Sequence, residues 1–200
     1  MYRLLTSLAL FLCLAHTGNA QLSADFTLGK LGGCSPLVVS FQATTNSPNA
    51  SFTWDLGNGN SATTANPQAI FTTIGSYTVT LTVSAGGQTM SASHVVTVYA
   101  PPTVSFTASS NLVCSTPVNF SGVGQAADGS SLTGWLWDFG DGSSQQTTAT
   151  PTHTFSGQGL FTVSLTVSDD HGCTAIVLQP NLIKVLPPLT AGFGSDKSVV

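Results

Sequence analysis

An all-β chain made of two tandem sandwiches is the fold class this sequence predicts, and three observations predict it. Apolar and hydroxyl side chains alternate over long stretches, as where Tyr77, Val79, Leu81 and Val83 are separated by Thr78, Thr80 and Thr82. That two-residue period belongs to a strand with one face buried. The same order of features also occurs twice, with WDLGNG at Trp54 to Gly59 returning 83 residues later as WDFGDG at Trp137 to Gly142; a self-similarity of this length marks a repeated unit. Finally, no useful helical period follows the first twenty residues, and Gly, Pro and Asn divide the chain into short segments.

The repeated motif reads as a strand running into a tight turn. In the first copy Phe52, Trp54 and Leu56 alternate with Thr53 and Asp55 before Gly57, Asn58 and Gly59. In the second, Trp135, Trp137 and Phe139 alternate with Leu136 and Asp138 before Gly140, Asp141 and Gly142. Asn-Gly and Asp-Gly favour a type I′ hairpin turn, which needs positive φ at both central residues. The Trp side chains fall on the inward phase, where a sandwich anchors its two sheets. A sugar-stacking platform is the alternative use of Trp54, Trp135 and Trp137.

In chain order, residues 1–20 carry Arg3, an apolar run from Leu4 to Ala15 and small residues Gly18 and Ala20. This pattern predicts a secretory signal peptide cleaved after Ala20, the run being too short to span a membrane. The first unit, 24–100, places Phe26, Cys34, Leu37, Val39 and Phe41 before the Trp54 strand. Ile70-Phe71, the Tyr77 strand and a closing strand from Val95 to Tyr99 follow it. Pro101-Pro102 is a stiff joint that cannot continue a central strand. The second unit, 103–186, repeats the order with Phe106, Cys114, Val118 and Phe120, the Trp137 strand, His153 to Phe155, the Phe161 to Val167 alternation and Leu182 to Leu186. Pro187-Pro188 is a second joint, and residues 189–200 read as the start of a third repeat. Phe26 and Phe106 each stand eight residues before a cysteine, and Phe193 matches them. The pattern therefore predicts a continuing polypeptide with cysteine at position 201.

Charge excludes some partners. The chain has eight Asp, no Glu, three Lys and one Arg, and with Arg3 removed three Lys face eight Asp, a net charge of −5. So few cations exclude nucleic acid and acidic membrane surfaces as partners, and nothing in the mature chain predicts membrane insertion. An extracellular protein or polysaccharide is the partner class left. Sequons at Asn49 and Asn119 matter only in a glycosylating host.

At Trp137 to Gly142, with Pro151, His153, Phe155, Gly159, Phe161 and the Val163 to Val167 alternation, the chain resembles the PKD (polycystic kidney disease) domain family. The resemblance covers nearly all of 103–186 and implies an immunoglobulin-like β-sandwich. The first unit is similar to a diverged copy, with Asn58 where the family favours Asp and Ala69 where it often has His. Cysteines placed early and late, as at Cys114 and Cys173, are similar to copies in large secreted or cell-surface bacterial proteins. Such domains act as spacers or interaction modules beside enzymatic, adhesive or anchoring domains.

Cys114 and Cys173 are accordingly expected to form a disulfide in an oxidising, exported setting. Cys34 has no equivalent partner, because Thr89 matches Cys173; it is either a buried, inert thiol or free for an intermolecular bond. Asp138, Asp141, Asp169 and Asp170 raise a calcium hypothesis. The alternative makes Asp55 and Asp138 acceptors for backbone N–H at the strand end, and Asp141 a turn former that Asn58 replaces. His153 and His171 lack a second His or Cys at zinc-ligand spacing, so no metal or cofactor is expected. With no G-x-S-x-G, no H-E-x-x-H, no phosphate loop and no Glu, no catalytic residues are expected either. The expected function is a non-enzymatic, secreted or cell-surface spacer. The alternatives are a polysaccharide- or protein-binding adhesion module, and an accessory region of an enzyme whose catalytic domain lies beyond residue 200.

Overall fold

The computed structural model describes residues 21–188 apart from residue 128. The signal peptide expected over 1–20 and the third repeat expected from 189 lie outside the described residues. Within them every regular element is a strand.

The first half contributes β1 (Asp25–Leu28), β2 (Gly32–Cys34), β3 (Leu37–Thr44), β4 (Ser51–Asp55), β5 (Ser61–Ala62), β6 (Gln68–Phe71), β7 (Gly75–Ala85) and β8 (Gln88–Tyr99). They form one sheet in the order β1-β3-β6 and another in the order β2-β8-β7-β4-β5. The second half contributes β9 (Thr103–Ala108), β10 (Leu112–Val113), β11 (Val118–Gln125), β12 (Leu132–Asp138), β13 (Thr152–His153), β14 (Gly159–Asp169) and β15 (Thr174–Val185). Here the sheets run β13-β11-β9 and β10-β15-β14-β12. Each pair of sheets closes over its own apolar cluster, one built around Trp54 and one around Trp137.

The alternation seen in sequence becomes layering. Val79, Leu81 and Val83 on β7 are fully buried, as are Val163, Leu165 and Val167 on β14. Burying each such side chain stabilises by roughly 1.5–3 kcal/mol. Trp54 sits between Phe26 and Phe41 at ring-centre distances of 4.9 and 5.6 Å; Trp137 sits between Phe106 and Phe120 at 5.0 and 5.5 Å. Each indole N–H donates to a backbone carbonyl, Trp54 to Thr64 at 2.9 Å and Trp137 to Thr148 at 2.8 Å.

The closing strands are longer than the apolar runs that announce them. β8 begins at Gln88 and β15 at Thr174, because each pairs with β7 or β14 along nearly its whole length. The first four residues of β8 are exposed, so hydrophobicity does not mark them.

Register fixes the two ends of each unit. Gly75 pairs with Val98 and Ala85 with Gln88; Gly159 pairs with Val185 and Ser168 with Thr174. The short parallel strands β2 and β10 lie at the Gly75 and Gly159 ends, through Gly33 opposite Val98 and Val113 opposite Val185. At the joint Pro101 is exposed and Pro102 buried.

Candidate functional site

Two constellations stand out, the repeated turn and the contact between units. In the turn, Asp55 Oδ1 accepts the Gly57 N–H at 2.9 Å and Asp138 Oδ1 accepts that of Gly140 at the same distance. Asn58 Oδ1 accepts the Asn60 N–H, and Asp141 Oδ1 that of Ser143, both at 3.1 Å. The turn is not type I′. Positive φ falls on Gly57, Gly59, Gly140 and Gly142, and among the described residues neither Asn58 nor Asp141 shares it. Side-chain oxygens bonding two residues ahead organise the loop instead. Gly57 and Gly140 are required for a second reason, since a Cβ there would run into the carbonyl oxygen of Thr78 or Thr162.

The second turn also contains a pair that the sequence did not reveal. Asp141 Oδ2 lies 2.8 Å from His153 Nε2, with both side chains buried. The His153 ring stacks on Phe139 at 4.0 Å. Burial pushes the Asp141 carboxyl up, but the Ser143 hydroxyl, His153 and the Ser143 N–H outweigh it and hold the group below its ordinary value. In the first unit Asn58 Nδ2 donates instead to the Ile70 carbonyl at 3.3 Å, and Ala69 stands where His153 does. The signal was present inside the repeat, because the two positions change together between copies.

The contact between units overturns the expected disulfide. Cys34 is bonded to Cys173, with Cα atoms 5.4 Å apart, while Cys114 is free and exposed. Cys114 follows Val113, opposite the Gly159 end of β14, and Cys173 lies in the turn after Asp169. Ten residue steps of extended strand separate those ends, roughly 33 Å, whereas a disulfide tolerates a Cα separation of about 7 Å. Cys34 is therefore neither an inert thiol nor open to a second molecule. The first unit's counterpart of Cys173 is also shifted by one: Ala85 pairs with Gln88 as Asp169 bonds to Cys173, so Gln88, and not Thr89, occupies the matching position.

Beside the disulfide, Tyr99 of the first unit stacks on His171 of the second, with ring centres 3.7 Å apart and planes 19° apart. Asp169 shapes the turn that presents Cys173, its Oδ1 accepting the N–H groups of Cys173 at 2.8 Å and His171 at 3.0 Å. Asp169 Oδ2 is buried without a hydrogen-bond partner. Of the four aspartates in the calcium hypothesis, Asp169 and Asp170 group with His171, their donor atoms within 4.8 Å of one another; Asp138 and Asp141 belong to the other turn. Trp54 and Trp137 are completely buried and Trp135 packs against the second core, which leaves no aligned indole platform for a sugar.

No described helix is long and apolar enough to cross a membrane. The PKD domain model matches residues 30–98 and 99–181. A segment of 85 residues is 34% identical to the microbial collagenase of Vibrio alginolyticus, covering 42% of this chain and 10% of that protein. Another comparison gives 30% identity over 80 residues to collagenase ColA of Bacillus cereus, or 40% of this chain and 8% of that protein. The chain thus spans a tenth or less of these curated relatives. Among solved structures, the PKD1 domain of Vibrio anguillarum Epp is 27% identical with a TM-score of 0.38, covering 44% of this chain and 96% of that one. The PKD1 domain of the Vibrio cholerae metalloprotease PrtV is 30% identical with a TM-score of 0.37, covering 42% and 96%. With two adjacent matches that together take in most of its length, the chain belongs to the PKD domain family.

Proposed function

We propose that this chain is a non-enzymatic extracellular spacer and interaction module of a larger secreted or cell-surface protein. The observation that carries the reading is the Cys34–Cys173 bond, which joins the Tyr99 end of the first unit to the β14–β15 turn of the second. Together with the Tyr99–His171 stack and buried Pro102, it turns two beads on a hinge into one strut. A disulfide across a joint also suits an oxidising location. The test is a distance distribution between labels placed one per unit on exposed strands. A single narrow distance is expected for the oxidised protein, broadening in Cys173→Ser. A broad distribution with the disulfide intact would sink the strut.

A second reading is favoured by the names of the relatives. Both are collagenases matched over a small part of their length, which fits an accessory region of an enzyme whose catalytic domain lies elsewhere in the polypeptide. Sequencing the full gene decides between a strut beside a catalytic domain and one beside adhesive or anchoring domains. A third use, adhesion to another protein, draws support from Leu136, Ile176 and Leu178, exposed on the outer face of β12 and β15.

A further inference from the structure

We propose that the face of the second unit around Cys114 is the docking surface for a further unit of the same fold, following in the same polypeptide. Cys114 would bond to a cysteine in the turn of that unit that corresponds to the β14–β15 turn. The inference shares with the spacer reading only the idea of an array; the Cys34–Cys173 bond stands if it fails.

Register carries the equivalence of the two cysteines. Gly75 and Gly159 open the long strands β7 and β14 and pair with Val98 and Val185. Those valines pair in parallel with Gly33 and Val113, and the next residues are Cys34 and Cys114. The two thiols therefore occupy the same point at the same end of successive sandwiches. One of them is bonded to the following unit and the other is exposed and free. What differs is whether a following unit is among the described residues.

The surroundings repeat as well. Cys114, Phe155, Val185 and Leu186 line a groove of about 430 Å³. At the corresponding edge of the first unit Ile74, Val98 and Tyr99 line one of about 410 Å³, and Tyr99 makes the stacking contact with the second unit. Leu186 takes the place of Tyr99 and offers an apolar contact there. The sequence leaves both units with the same stride: Phe106 stands seven residues after Tyr99, and Phe193 seven after Leu186. The clamp is also directional. It uses a turn cysteine from the later unit of each pair, and the first unit, whose matching turn is Gly86-Gly87-Gln88, has none.

Forming the bond removes two protons and two electrons from two thiols. The oxidant is the disulfide of a thiol-oxidase-class protein of the export compartment, which exchanges with one cysteine, is displaced by the other and leaves as a dithiol.

The experiment is peptide mapping of the full-length natural protein, alkylated before reduction. The expected result is two cross-linked pairs, Cys34 with Cys173 and Cys114 with a cysteine of a downstream peptide. Cys114 recovered alkylated without reduction, or linked to Cys114 of a second copy, overturns the proposal, as does a polypeptide with no downstream unit. A second measurement uses residues 21–200 alone with a thiol reagent under native conditions. One equivalent should react, and none in Cys114→Ser; a native Cys114 that resists the reagent shows the surface already covered and also overturns the proposal.

Discussion

The two units share a topology and a core but differ in how they use charge and where they expose apolar surface. Among the described residues the first holds one Asp–His pair and the second two, the looser of them Asp170 with His171 at 3.6 Å beside the disulfide. In the first, Asp25 and His94 meet at 3.1 Å on the surface, with side chains 69% and 39% exposed. The His94 hydrogen bond, and then the Phe26 N–H, hold the Asp25 carboxyl below its ordinary value, yet so solvated a pair contributes little to stability. In the second, Asp141 of the repeated turn and His153 of β13 are buried 2.8 Å apart. The outer faces differ too. Hydroxyls bond across β7 and β8 through Thr80 to Ser93 and Thr82 to Ser91, where β15 presents Ile176 and Leu178. Sandwich architecture needs neither arrangement, so it is the Trp cores and the Gly turns that make the fold.

The largest test of that comparison is to remove each indole. Trp54→Ala and Trp137→Ala should each cost about 3–5 kcal/mol, measured by calorimetry on the oxidised chain. A cost under about 1 kcal/mol in one unit would show that its sheets close over something else. Next is the bond between units: Cys173→Ser should lower stability by about 2–4 kcal/mol and split one melting transition into two. A single unchanged transition would mean that the units are coupled without it.

His153→Ala should destabilise the second unit by about 1–3 kcal/mol, leaving Asp141 buried with its Oδ2 unpaired, as read by urea denaturation. Asp141→Asn should cost less, because Asn58 shows that an amide can make the same turn bond. The same residue predicts a pH difference between units. Since the folded carboxyl titrates below its ordinary value of 3.8, the folded form holds that proton less readily than the unfolded chain. Its stabilisation is present above that value and is lost as pH falls through the lower folded one. Acid titration of stability should show this loss in the native second unit and not in Asp141→Asn, while the first unit, whose depressed carboxyl Asp25 is exposed, shows a smaller loss over the same range. The smallest effect belongs to the outer face: Leu136→Thr with Leu178→Thr should shift stability by no more than about 0.5 kcal/mol each, while lowering binding of an apolar dye.

Much of the fold was legible because it is local. Alternation over Tyr77 to Val83 and Phe161 to Val167 states which side chains face in, and the repeat of WDLGNG as WDFGDG states that it happens twice. The site was less legible because it depends on where strand ends lie. Cys114 and Cys173 suggest a pair when distance is judged by position in a repeat, yet the extended β14 between them puts them at opposite ends of one sandwich. The same alternation that named the core could have revealed this. Asn-Gly and Asp-Gly point to a type I′ turn, yet here the positive φ falls on glycine alone, with the Asp55 and Asp138 carboxylates taking the preceding N–H groups.

One covalent link spans the segment that would otherwise be the weakest place to cut. A protease that severed the backbone between Ala100 and Thr103 would not release either half, because Cys34 and Cys173 lie on opposite sides of the cut. The nicked protein would travel as a single species until a reductant was added, so damage at the joint would leave its load attached.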